Sequence, residues 1–149
     1  NASLENATLN TNGYLLRIEG SRIKNSKFTT PNIINIFKTE LTDSQVKTEG
    51  GHIYAENIQV HGKVELDSHN HLRLFLSKTE FDRINLDMSS KHGGIYHNAQ
   101  REHPRQRENE LANPYKTDKA DVKDLLIIKA NQDIYLSKEE EYSAPPRNH

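Results

Sequence analysis

Four histidines within twenty residues, His52, His61, His69 and His71, form the densest group of chemically capable side chains in this 149-residue chain. His69 and His71 alternate around Asn70, the spacing that sends both imidazoles to one face of a strand, and with Asp67 nearby they would offer Zn²⁺ or Ni²⁺ a mixed nitrogen and oxygen ligand set. The pattern fixes no third ligand, so no metal or other cofactor is expected, and His69 and His71 are the residues to watch if one binds. A second set is acid and base: Asp67, Asp82 and Asp87 with Arg73, Arg83 or Lys91 would suit a polysaccharide lyase or hydrolase working along one solvent face. Glycoside hydrolysis needs two carboxylates at a defined separation, which spacing alone does not supply across strands. A third set, His92, His97 and His103 with Glu102, has the side chains of a metal-dependent nuclease, although no compact core surrounds it in the sequence. Arg101, Arg105 and Arg107 form a small basic cluster balanced by Glu102, Glu108 and Glu110; with Tyr115 they are the candidate binding residues. Nucleophile motifs, phosphate-cradling glycine loops and dinucleotide fingerprints are absent, so no catalytic residue is assigned and a non-enzymatic role is expected.

Whatever positions these groups must be thin. Only 33% of residues are hydrophobic, none is Trp and 28% are charged, lean for a globule with a central core but workable for an elongated stack. The net charge of -1 argues against nucleic acid as a partner. No apolar run approaches the roughly 20 residues of a membrane span, so no membrane insertion is expected. The absence of Cys removes disulfides and thiolate metal sites, and suits a chain exported unfolded. No leader is recognisable at the start, and an upstream portion is expected to have been cut away.

A five-residue spacing of apolar residues restarts along the chain: Leu4/Leu9, Ile18/Ile23/Phe28/Ile33, Ile36/Leu41/Val46, Ile53/Ile58 and Leu76/Phe81/Leu86. Segments beginning near Leu4, Ile23, Leu41, Ile58 and Phe81 each add an alternating strand and a corner rich in Asn, Thr, Ser, Asp and Gly. Their starts are 19, 18, 17 and 23 residues apart, about one turn of a β-solenoid. The expected fold is therefore all-β, a parallel β-solenoid of about five to six rungs. It forms one domain over residues 1–149, with rungs over about 3–96 and no helical periodicity before residue 97. A polar insertion follows over about 97–121, in which Pro104 and the next residues suit a short helix ending near Leu111. A final rung spans about 122–138, and an acidic, Pro-rich tail covers 139–149.

The stretch IIKANQDIYLS at 127–137 resembles the haemagglutinin repeat of filamentous-haemagglutinin-like exoproteins, the two-partner-secretion adhesins and contact-dependent inhibition proteins of Gram-negative bacteria. GGHIYAENI at 50–58 with GKVEL at 62–66 looks like another copy, and IEGSRIKN at 18–25 resembles the step between strands. The resemblance implies a right-handed parallel β-helix, secreted or held at the bacterial outer membrane. There it would serve as a stalk or adhesive surface for a host-cell or neighbouring-cell protein or glycan, or carry a toxin region. It carries over no catalytic residue. The insertion at 97–121 is the expected recognition element, and end-to-end self-association is a further expectation for a stack with open ends.

Overall fold

The computed structural model describes residues 2–97 and 109–139; Arg101, Glu102, His103, Arg105 and Arg107 lie outside the described residues, as does most of the tail. Strands follow one another in triplets: β1 (Ser3–Glu5), β2 (Thr8–Asn10) and β3 (Leu15–Glu19), then β4 (Arg22–Lys24), β5 (Lys27–Thr30) and β6 (Ile33–Phe37). The triplets continue with β7 (Glu40–Thr42), β8 (Gln45–Thr48) and β9 (Ile53–Glu56), then β10 (Gln59–His61), β11 (Lys63–Ser68) and β12 (Leu72–Ser77). Equivalent strands stack in parallel, so the first strands of the triplets build sheet A (β1-β4-β7-β10), the second build sheet B and the third build sheet C. The chain is thus an all-β, solenoid-like stack rich in parallel pairing, as the corner-and-strand pattern predicts.

Leu4, Ile23 and Leu41 lie opposite one another in sheet A, as expected from their spacing. The next position is Val60, not Ile58. Alternation sends every second side chain inward, and these meet in a single core that includes Phe28, Val46 and Leu66 from sheet B and Ile36, Ala55 and Leu74 from sheet C. Each fully buried Leu or Ile contributes roughly 1.5–3 kcal/mol.

Corners explain the Asn, Asp and Gly content. Asn6, Asn25, Asp43 and Gly62 turn sheet A strands into sheet B strands with φ of 55°, 50°, 46° and 68°, a left-handed conformation that these residue types tolerate best. At Gly62 a Cβ would lie 2.0 Å from Asp43 Oδ1, so a larger residue would displace that carboxylate from the Lys63 N–H it accepts at 3.0 Å. Hydroxyls finish the corners: Ser26 Oγ accepts from Ala7 N at 3.1 Å and donates to Lys24 O, and Ser44 repeats the arrangement beneath Ser26. The buried backbone is thereby satisfied without a side-chain core at that edge.

Past β12 the structure departs from simple coiling in two ways. First, residues 78–83 form a helix, α1 (Lys78–Arg83), where a rung was expected to open at Phe81. Ser77 caps it, its Oγ accepting from Glu80 N at 3.1 Å. Second, the strands after α1 stack out of chain order. β13 (Asn85–Ser90) and β14 (Ile95–His97) come next in sequence, whereas β17 (Leu125–Ala130) sits between β11 and β13, and β18 (Ile134–Glu139) between β12 and β14. The last strands among the described residues are therefore interior members of the stack. The far end is closed by part of the expected insertion: β15 (Glu110–Leu111) and β16 (Tyr115–Lys116) pair antiparallel with β14 and β13. Residues 110–111, expected at the end of a short helix, are thus strand. No helix among the described residues is long and apolar enough to cross a membrane.

Candidate functional site

The outer faces of the three sheets differ. On sheet B outward charges pair across strands: Lys129 Nζ lies 3.2 Å from Glu65, which Gln45 also reaches, and Lys116 pairs with Asp87 at 4.0 Å. Sheet A holds Arg22 and His61 at 3.4 and 3.0 Å from Glu40. Sheet C instead carries rings.

Register places Arg17, Asn35, Tyr54, Arg73, Tyr135 and Tyr96 in one column across sheet C. In the neighbouring column Phe37 lies two strands from Phe75, with Glu56 between them. Ring centroids run Phe37–Tyr54 at 5.7 Å, Tyr54–Phe75 at 5.5 Å and Tyr96–Tyr135 at 5.8 Å, all within the range of favourable aromatic pairs. His52 stacks on His71 at 5.5 Å, and His71 continues to Tyr135 at 6.2 Å. Guanidinium groups cover two rings, Arg17 over Phe37 at 4.8 Å and Arg73 over Tyr135 at 4.7 Å.

Backbone bonds orient the imidazoles. His71 N donates to His52 Nδ1 at 3.4 Å, and Asp133 N donates to His71 Nδ1 at 3.2 Å, so the proton of each neutral ring is on Nε2. Asp133 is itself held, accepting from Tyr135 OH and from Gly94 N, each at 2.9 Å. Between the first column and the His52–His71 pair lies an open cleft of about 440 Å³, lined by Ile33, Asn35, His52, Tyr54, His71, Arg73 and Tyr135. Ile33 is 41% exposed and forms its apolar wall. The arrangement offers hydrogen-bonding groups, cation and ring edges along the stack, with no reactive nucleophile in the lining.

The residues singled out by sequence are dispersed. His71 stacks on His52, while His69 is exposed in the turn before β12, and no group of three or more His, Cys, Asp or Glu suited to a metal occurs among the described residues. Asp67 and Asp87 share sheet B but lie two strands apart, roughly 10 Å or more at the backbone. Burial raises the Asp67 carboxyl, offset in part by Lys47 and Lys129. Asp82 pairs with Lys78 on α1 at 3.7 Å, and Arg73 faces out from sheet C. Tyr115 packs partly buried on the end of the core. His97 stacks on Phe81 at 5.9 Å, and burial with Lys138 nearby lowers its pKa. His92 is exposed, its N donating to Asn131 O at 2.8 Å.

Arg83 has a structural task that its spacing did not reveal. Val60, on the edge strand β10, donates its N–H to Glu80 Oε2 at 2.6 Å, and the Arg83 guanidinium reaches the Val60 carbonyl. Two side chains of α1 thus take the place of a further strand on sheet A. Arg83 also binds Asp124, whose other oxygen accepts from Gly62 N at 2.7 Å and clamps the start of β17. The Glu80 hydrogen bond outweighs burial and holds Arg83 above its ordinary pKa.

Fold and site together define an all-β, parallel, solenoid-like domain with one aromatic face. The chain belongs to the Toastrack DUF4097 family, whose profile matches residues 1–137. No curated protein and no solved structure matches it. This overturns the likeness to filamentous-haemagglutinin repeats. Alternating strands with Asn, Asp and Gly corners arise wherever a chain coils into parallel sheets, so IIKANQDIYLS reports that geometry and not descent.

Proposed function

We propose that the domain is a non-enzymatic binding module that presents the outer face of sheet C to an extended cell-surface glycan. The supporting observation is the ladder of Tyr, His and Arg rings and guanidinium groups along one sheet face. A stack gives such a ladder length and rigidity, and its repeating groups suit a polymer lying along the stack. The dispersal of Asp67, Asp82 and Asp87 over sheet B and α1 supports binding without hydrolysis. We read the coil as right-handed, the hand taken by almost all parallel crossover connections, with five to six rungs. Display on, or release from, a bacterial surface goes with this reading, supported by the cysteine-free composition and tested by protease accessibility on intact cells. A protein on a host or neighbouring cell is the competing partner. Binding is tested on a glycan array and on whole cells before and after glycan removal, comparing the protein with Tyr54→Ala, Arg73→Ala and the sheet B control Lys47→Ala. The sheet C variants are expected to lose binding while the control keeps it. Equal binding by all four, or binding that survives glycan removal, would sink the proposal.

A further inference from the structure

The cleft on sheet C holds an unbalanced charge. Arg17, Arg22 and Arg83, the other arginines among the described residues, each hold a carboxylate, at 3.3, 3.4 and 2.7 Å. Arg73 holds none among the described residues; its guanidinium lies 4.7 Å from the ring centroid of Tyr135 instead. Stacking on a ring orients the guanidinium and leaves its N–H edge for a planar acceptor. No acidic side chain lines the cleft. Asp133, just before β18, is 4% exposed and already accepts from Tyr135 OH and Gly94 N. Glu56 lies two residues further along β9 and accepts from Tyr54 OH at 3.4 Å. The other polar groups of the lining are donors. Backbone N–H groups occupy Nδ1 of His52 and His71, so each neutral ring turns an Nε2–H away from the backbone. Asn35 stands in the same column as Arg73, two strands or roughly 10 Å away, and its amide has no hydrogen-bond partner among the described residues.

We infer that the glycan is acidic, and that a sugar carboxylate sits against Arg73 with the Nε2–H groups of His52 and His71 as further donors. This rests on the glycan reading and adds the charge and chemical class of the ligand. A carboxylate presents two coplanar oxygens to the guanidinium fork, the geometry of a bidentate pair. Tyr54 and Arg73 are neighbours in the column, about 4.8 Å apart at the backbone. A sugar whose carboxyl is bonded directly to its ring, a uronic or sialic acid, spans them as one rigid unit, the ring on Tyr54 and the acid on Arg73. A sulfate or phosphate hangs from an ester oxygen, and ordering that extra rotation costs affinity. The net charge of -1 gives the protein no general attraction for a polyanion, so a preference for acid comes from this cleft.

A glycan array carrying uronic-acid, sialic-acid, sulfated, phosphodiester-linked and neutral chains tests this. The expected result is a preference for carboxylated chains, with binding falling roughly ten- to hundredfold when their carboxyls are reduced to alcohols. Arg73→Met is expected to bind the acidic and reduced chains equally weakly, and Arg73→Lys, which keeps the charge without the fork, to fall between. Lys47→Met removes a cation from sheet B and is expected to retain the preference. Equal binding of the parent protein to acidic and reduced chains would overturn the inference and leave the glycan reading standing. So would binding confined to sulfated or phosphodiester chains, or a preference for acid that R73M keeps. No binding to any chain would overturn both.

Discussion

Replacing Glu80 by Ala removes the acceptor that closes the edge of sheet A. Val60 is fully buried, and its N–H has the Glu80 carboxylate as partner at 2.6 Å. Leaving a buried N–H unsatisfied costs about 1–3 kcal/mol. Arg83, whose side chain is 35% exposed, also loses its 2.7 Å ion pair, and that adds about 1 kcal/mol once solvent screening is allowed for. The sum is about 2–4 kcal/mol, or roughly 5–15 °C in Tm for a chain of this size. Glu80→Gln keeps a carbonyl acceptor for Val60 and is expected to cost less, about 1–2 kcal/mol. Asp82→Ala, which breaks only an exposed pair with Lys78, is the control and is expected to cost under about 0.5 kcal/mol. Urea unfolding followed by far-ultraviolet circular dichroism measures all three. If E80A unfolds within about 0.5 kcal/mol of the parent, or no worse than D82A, the carboxylate does not close the sheet and the reasoning fails.

Two carboxylates give pH dependences of opposite sign. Burial raises the Asp124 pKa, but the Gly62 N–H and Arg83 outweigh burial and hold it below its usual 3.8, so the unfolded chain takes up the proton first. Its stabilising contribution is complete above about pH 4 and is lost on further acidification; Asp124→Asn is expected to flatten that loss in acid titrations of stability. Asp67 lies the other way: burial raises it above 3.8 despite Lys47 and Lys129, and Glu65 adds to the rise. Its charge opposes folding at neutral pH, so Asp67→Asn is expected to raise stability at pH 7, with the gap closing as pH falls through the raised pKa.

The coil was legible because strand alternation is local. Leu4, Ile23 and Leu41 fall opposite one another at the spacing their sequence positions show. Val60 escaped because Ala55, which takes the place of Ile36, is a weak apolar signal while Ile53 and Ile58 offer the same five-residue spacing, and Phe81 misled because its five-residue spacing from Leu76 continues by coincidence onto a helix. A signal for that helix was present: Ser77 followed three residues later by Glu80 has the spacing of a capping box, of which the Ser77 half forms. The sheet C ladder was missed because its partners lie far apart in the chain. Phe37, Tyr54 and Phe75 recur at 17 and 21 residues and His52 and His71 at 19, a rhythm visible once the rung length is known. His69 and His71 looked like a pair because alternation was assumed for both, yet β12 begins only at Leu72. The seating of β17 and β18 inside the stack left no local trace, since Ile128 and Leu136 would fill any inward position equally well. Parallel pairing across 62 residues is a property of the whole sheet.

That seating completes the sheet C ladder, because Tyr135 joins His71 and Arg73 to Tyr96 only if β18 lies between β12 and β14. A chain without cysteine permits a direct test by engineered disulfides. Asp67 is paired with Lys129, and Lys129 with Ser89, each about 4.8 Å apart at the backbone and within disulfide reach, whereas Asp67 and Ser89 are separated by about twice that distance. Oxidation followed by non-reducing electrophoresis and peptide mapping is expected to show cross-links in D67C/K129C and K129C/S89C but not in D67C/S89C. A cross-link in D67C/S89C, with none in the other two, would put β11 directly against β13 and contradict the order of strands on which the ladder depends.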